Sequence, residues 1–148
     1  IGSVYDKKGD YDKALEYYKK SYEIDKIIYA DNPNHPHIAT SLNNIGLVYK
    51  NKDDYNKALE YYEKSYKIYE KVYADNPNHS DIATSLNNIG NVYYDKGDYN
   101  KALEYYEKSY EIKKKVYADN PNNADIATSL NNIGSVYKNK RDYNKTLE

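Results

Sequence analysis

Leu86-Asn87-Asn88-Ile89-Gly90-Asn91-Val92-Tyr93 occurs three times in this chain with small changes. It returns as Leu42-Asn43-Asn44-Ile45-Gly46-Leu47-Val48-Tyr49 and as Leu130-Asn131-Asn132-Ile133-Gly134-Ser135-Val136-Tyr137, and the chain opens inside it at Ile1-Gly2-Ser3-Val4-Tyr5. The Ile-Gly pairs begin at positions 1, 45, 89 and 133, a period of 44 residues. A fixed period of this length means that each repeat buries its apolar face against its neighbours, building an extended array in place of a globule. The repeats run over 1–44, 45–88 and 89–132, with a partial one over 133–148. The array opens and closes in mid-repeat, so a fragment of a longer array is expected.

Within the third repeat, turn clusters punctuate the sequence. Asn120-Pro121-Asn122-Asn123 matches Asn32-Pro33-Asn34-His35 and Asn76-Pro77-Asn78-His79, and Gly97-Asp98 matches Gly9-Asp10. Pro36 stands where a helix would begin, which suits its fixed φ and missing N–H. The spacing predicts a first helix near 80–96 and a second near 99–118 in each repeat. At about 100° per residue, Ile82, Leu86, Ile89, Val92 and Tyr93 fall in one arc opposite Asn87, with the small Ala83 and Gly90 beside it. On the second helix, Tyr99, Ala102, Leu103, Tyr106, Ser109, Tyr110, Val116 and Tyr117 share a broad apolar face. Its other face is charged, with Glu104–Lys108 and Glu111–Lys115 in the favourable order for helix ion pairs. Asp25, Tyr69 and Lys113 occupy one equivalent position inside the apolar arc, and the pattern offers no reason for them. The fold class is therefore all-α: antiparallel helix pairs stacked into an α-solenoid.

Composition narrows the function classes. Lys plus Arg is 22 and Asp plus Glu is 23 among 148 residues, a near-neutral balance without a basic run, which argues against a nucleic-acid surface. No apolar run is long enough to span a bilayer, and no signal-peptide pattern is present. Cysteine is absent, which excludes disulfides and thiol chemistry. Two sequons, Asn78-His79-Ser80 and Asn144-Lys145-Thr146, are expected by chance in a chain this rich in Asn, Ser and Thr. Tyrosine is 22 while Phe, Trp and Met are zero, so tyrosine must fill the core, and each buried ring carries a hydroxyl that needs a partner or a route to water.

These motifs resemble the tetratricopeptide repeat. Leu86, Ile89, Gly90, Tyr93, Gly97, Tyr99, Ala102 and Tyr106 match that family's pattern in order and spacing. The departures are Leu86 for the usual Trp, Ser109 for the last small Ala and Lys114 for the closing Pro. In the last repeat Arg141 replaces the turn Gly and Thr146 the second-helix Ala. The long period and the Ile-Ala-Thr-Ser-Leu-Asn-Asn run resemble the repeats of kinesin light chains. The resemblance implies a right-handed superhelix, a protein-binding scaffold, a cytoplasmic setting, and an extended peptide held on the concave face lined by the first helices.

Transferred to this chain, that face comprises Thr40, Asn43, Asn44, Leu47 and Lys50. In the next repeat it takes Thr84, Asn87, Asn88, Asn91 and Tyr94, and in the last Thr128, Asn131, Asn132, Ser135 and Lys138. A carboxamide both donates and accepts, so a ladder of Asn suits a peptide backbone. Asn costs about half a kcal/mol or more against Ala in mid-helix, so six of them ask for a reason. Leu47, Asn91 and Ser135, with Lys50, Tyr94 and Lys138, are the variable positions that would select the ligand. The competing reading is a spacer or self-assembling module without a peptide ligand, in which the Asn residues only solvate a face.

The other candidates are weaker. His35, His37 and Asp31 look like part of a metal site, but the equivalent of His35 is Asn123 in the third repeat, so no metal or other cofactor is expected. The helical spacing of the tyrosines places them in the core and not in base stacking. No phosphate loop, nucleophile motif or His–acid constellation supports an enzyme. The fourth repeat should hold a complete first helix, then a turn and the start of a second helix. Its stripe Ile126, Leu130, Ile133 and Tyr137 should lack cover, and uncapped ends of this kind favour head-to-tail self-association.

Overall fold

The structure, a computed structural model, describes residue 2 and residues 9–147, with side chains as far as residue 141. The half helix expected over residues 1–8 lies, Gly2 apart, outside the described residues. Among the described residues there are six helices and no strand: α1 (Tyr11–Ile28), α2 (Pro36–Asn51), α3 (Tyr55–Val72), α4 (Ser80–Asp95), α5 (Tyr99–Val116) and α6 (Ala124–Leu147). Two compact units are formed, Ile1–Asp75 and Asn76–Glu148.

Each unit repeats the same local rules. Asp10, Asp54 and Asp98 cap α1, α3 and α5 by accepting the N–H of Lys13, Lys57 and Lys101. The preceding turns reverse the chain through one left-handed residue, Gly9 (φ 74°), Asp53 (φ 59°) or Gly97 (φ 80°). Around it the Asp54 N–H bonds the Tyr49 carbonyl at 2.9 Å and the Asp53 N–H bonds that of Lys50 at 2.9 Å, the pairing that closes a helix through a left-handed residue. The same pair of bonds recurs at Asp98–Tyr93 and Gly97–Tyr94.

Within the first unit α2 packs against both α1 and α3, and within the second α5 packs against both α4 and α6. The α2–α3 pair is antiparallel. Ser65 Oγ donates to the Ala39 carbonyl at 2.8 Å, the Tyr62 ring lies under Gly46, and Tyr61 stacks on Tyr49 at 5.5 Å. Ser109 with Ala83, Tyr106 with Gly90 and Tyr105 with Tyr93 repeat this in the α4–α5 pair. Ser109 therefore stands for the family's alanine with a purpose: its buried hydroxyl ties the two helices together. Ile38, Ile45, Val48, Ile82, Ile89, Val92 and their neighbours form the buried stripe that the periodicity predicts.

The position shared by Asp25, Tyr69 and Lys113 also acquires a role. Asp25 accepts a hydrogen bond from Ser41, and Lys113 Nζ donates to Ser129 Oγ at 3.1 Å, each joining one repeat's second helix to the next repeat's first. Tyr69 hydroxyl meets Thr40 Oγ1 at 3.2 Å. Lys52 with Asp12 (2.6 Å) and Lys140 with Asn100 (2.7 Å) add lateral ties at a common spacing of forty residues.

Two expectations need correction. The turn expected at Arg141 does not form: α6 runs unbroken for 24 residues through it. The left-handed conformation costs a bulky side chain about 1–2 kcal/mol, and Arg is a strong helix former, so a chain with Arg141 in place of glycine continues its helix. On the charged face, Glu104 does pair with Lys108 at 2.6 Å, but Glu111 takes Lys114 at 2.8 Å, one turn on by three residues, in place of Lys115.

Candidate functional site

The fifteen residues of the expected binding face lie on α2, α4 and α6, the first helix of each repeat. At spacings of three and four they share one side of each helix, because i, i+3, i+4 and i+7 are surface neighbours. In the first unit Thr40 and Leu47 are exposed while Asn43, Asn44 and Lys50 are half-buried. Thr40 Oγ1 also donates back to the Pro36 carbonyl at 3.1 Å. The Asn43 carboxamide oxygen is buried and has no partner among the described residues.

In the second unit the structure brings two sets together. Asn132 Nδ2 donates to Asn87 Oδ1 at 3.0 Å, and Asn139 Nδ2 donates to the Tyr94 hydroxyl at 2.6 Å, so α4 and α6 lie side by side with their carboxamides in a row. Asn88 and Asn91 are half-buried, and Thr84, Thr128, Asn131, Ser135 and Lys138 are exposed. Thr128 and Ser135 hydroxyls turn back to the Ala124 and Asn131 carbonyls of their own helix. Asn91 Oδ1 accepts the Tyr106 hydroxyl at 2.7 Å. Burial pushes that phenol well above the usual tyrosine range, with Asp95 and Tyr94 adding to the effect, so it stays a donor.

Asn139 and Tyr106 belong to this network, although neither lies on the face that the spacing predicts. The ring of Tyr106 lies in the core, as its spacing predicts; its hydroxyl nevertheless reaches the polar face, as a buried tyrosine must find a partner. The histidines have a different use. His35 and His79 cap α2 and α4, each Nδ1 accepting the N–H two residues on, and Asn123 Oδ1 does the same for Asp125 N–H at 2.7 Å. His35 stacks on Tyr29 with ring centres 3.7 Å apart. Their shared chemistry is an acceptor at a helix start, which explains why Asn can replace His. Among the described residues no three His, Asp or Glu side chains are grouped to hold a metal, and no helix is long and apolar enough to cross a membrane.

The tetratricopeptide repeat profile matches residues 1–71, 37–115 and 81–148. The chain belongs to the tetratricopeptide repeat family. Repeats of this family generally mediate protein–protein interaction. Comparison with curated proteins by sequence gave no match. Among solved structures, the array is similar to BtubC (BKLC) from P. vanneervenii, with 28% identity and a TM-score of 0.78, over 97% of this chain and 55% of that one. It is also similar in fold to a Podosopora anserina protein, provisionally described as a kinesin light chain with nearly identical TPR-like repeats. There the identity is 19% and the TM-score 0.76, over 92% of this chain and 62% of that one. The chain thus spans little more than half the length of these structures. These likenesses establish the all-α solenoid of helix pairs, of kinesin light chain-like type, that the 44-residue period predicts.

Proposed function

We propose that this tetratricopeptide array is a scaffold that binds an extended peptide on the polar faces of its first helices, α2 in the first unit and α4 with α6 in the second. The observation that carries this reading is the Asn132–Asn87 bond. It uses one hydrogen of Asn132 Nδ2 and the oxygen of Asn87. The NH2 group of Asn87 and the oxygen of Asn132 remain to meet a backbone carbonyl and N–H of a peptide. The bond also fixes both carboxamide planes before a ligand arrives, so less side-chain ordering is lost on binding. Exposed Thr84, Thr128, Asn131, Ser135 and Lys138 flank that pair, and Leu47 (40% exposed) with Lys50 supplies the corresponding place on α2. No chemistry is assigned to the face.

The test is selection of peptides from a random displayed library on the immobilised chain, followed by titration of the selected peptide against Asn87→Ala/Asn132→Ala. A loss of about tenfold or more with unchanged circular dichroism supports the site, the scale expected when two backbone hydrogen bonds are removed. Equal affinity for a folded variant overturns it.

A second reading rests on exposed apolar side chains. Ile27 (77%) and Ile28 (64%) on α1, and Leu130 and Tyr137 (53%) on α6, lie open, although Ile126 of the expected stripe is buried. Head-to-tail association of copies through these faces would make the array a self-assembling module. Sedimentation velocity over a concentration series checks it: a strictly monomeric boundary at the highest concentration rejects association.

A further inference from the structure

A groove of about 550 Å3 opens in the first unit between α1 and α3, and none of the residues of the expected Asn face lines it. Its floor is apolar, formed by Tyr22, Ile38, Leu42 and Ile68 among others. Its rim is cationic: Lys26 from α1 and Lys64, Lys67 and Lys71 from α3. No carboxylate lines it. Lys26 and Lys64 are held by Glu23 and Glu60 of their own helices, at 2.7 and 2.6 Å, in exposed pairs that reorganise at little cost. Lys67 and Lys71 have no carboxylate partner among the described residues. The long stems of such lysines cover apolar surface while their charges stay in water.

The repeat supplies an internal comparison. Forty-four residues on, the floor positions are Tyr66, Ile82, Leu86 and Ile112, identical in type. Lys64 and Lys71 become Lys108 and Lys115, also unchanged. Lys26 and Lys67, however, become Glu70 and Glu111. The apolar floor is therefore a requirement of the array, whereas the extra cations are not. Four lysines on the first groove correspond to two lysines and two glutamates on the following repeat. Packing does not require that difference, since Lys and Glu occupy equivalent exposed positions on successive second helices.

We infer that this groove binds an acidic peptide segment carrying large apolar anchor side chains. The cavity lies in the size range of binding pockets that combine an apolar lining with a few convergent polar groups. Anchors would enter between α1 and α3, and flanking carboxylates would meet Lys67 and Lys71, with Lys26 and Lys64 turning from their intrahelical partners. The charge pattern sets partner choice and approach, and the floor supplies holding power. This site is separate from the Asn face and does not depend on it.

Fluorescence anisotropy with a labelled peptide decides the matter, the probe being a Leu-Phe pair flanked on each side by Glu and Asp. Saturable binding that weakens with added salt is expected. Lys26→Glu/Lys67→Glu should lower affinity by at least about tenfold, because two attractive charges become repulsive. That variant only installs the residues that the next repeat already carries, so it should fold, and Lys67→Gln/Lys71→Gln gives a charge-neutral second check. A peptide with Ser-Ser in place of Leu-Phe should bind weakly. Equal affinity for the folded variants, or no saturable binding, overturns the inference. Displacement of the peptide by oleate at lower concentration than the peptide itself requires would assign the groove to an anionic lipid and overturn it likewise.

Discussion

Asn132 and Asn87 face each other across 3.0 Å, the carboxamide nitrogen of one donating to the oxygen of the other, forty-five residues apart in sequence. Two terms oppose each other when either is truncated. Ala is the better helix former by about half a kcal/mol, while a net hydrogen bond is worth about 1 kcal/mol. Single Asn→Ala changes at 87 or 132 should therefore move stability by less than about 1 kcal/mol. The pair should nevertheless couple by about 0.5–1.5 kcal/mol in a double-mutant cycle followed by urea unfolding. Strict additivity would show that the bond does not form in solution.

Gly90 and Gly134 occupy the same place in successive repeats and should respond in opposite directions to alanine. A Cβ on Gly90 would stand 2.7 Å from Tyr106 Cδ1, against a ring that is buried and tied by its hydroxyl to Asn91. Gly90→Ala should cost about 1–3 kcal/mol, the range for overpacking. A Cβ on Gly134 meets nothing within 4 Å. Gly134→Ala should gain about 0.5–1 kcal/mol from helix propensity alone. Paired urea titrations of the two variants check the contrast; a loss at both positions would place α6 differently from the structure.

The fold was legible because its signals are local and repeated: the period, the stripe of Ile82, Leu86, Ile89 and Val92, and the small Ala83 and Gly90. What escaped was polar pairing across helices. Asp25, Tyr69 and Lys113 look misplaced on a helical wheel because a wheel holds one helix, and their partners Ser41, Thr40 and Ser129 sit on others. His35 looks like a metal ligand until its Nδ1 is seen accepting the His37 N–H. The Asn row could be placed on a face from spacing, but its internal bond depends on how far apart two helices lie, which no single repeat encodes. Arg141 departs from the pattern at the turn position, yet its consequence is a conformational cost with a long reach, the loss of the turn itself.

Asp53 is the only residue other than glycine with positive φ among the described residues, at 59°. Its side chain accepts a bond from the Tyr55 hydroxyl at 3.0 Å, an exposed contact of small worth. Asp53→Gly removes the left-handed strain and should stabilise by up to about 1 kcal/mol. Gly97→Ala introduces the same strain and should destabilise by about 1 kcal/mol or more. Thermal unfolding of the two variants beside the parent chain checks both signs.

Lys113 is buried in the second unit, 8% exposed, with its Nζ on Ser129 Oγ at 3.1 Å. Burial pulls its amine below the usual lysine value, and the Asp125 carboxylate offsets this only in part. A lysine depressed in the folded state releases its proton there before it does in the unfolded chain. Its penalty is complete below the folded value, shrinks as pH rises through that value, and is gone above the ordinary value of 10.5. Ser129 keeps its own bond to the Asp125 carbonyl at 3.0 Å when the amine is removed, so Lys113→Met strands no buried hydroxyl. The thioether side chain fills a similar volume without a charge. At neutral pH Lys113→Met should stabilise by on the order of 1 kcal/mol, the lower end of what replacing buried ionic groups with apolar ones yields. Its advantage over the parent chain should narrow steadily as pH climbs toward the lysine range. Urea unfolding of both chains at a series of pH values measures that narrowing, and a gap that stayed constant or widened with pH would show that Lys113 carries its charge in the folded state without cost.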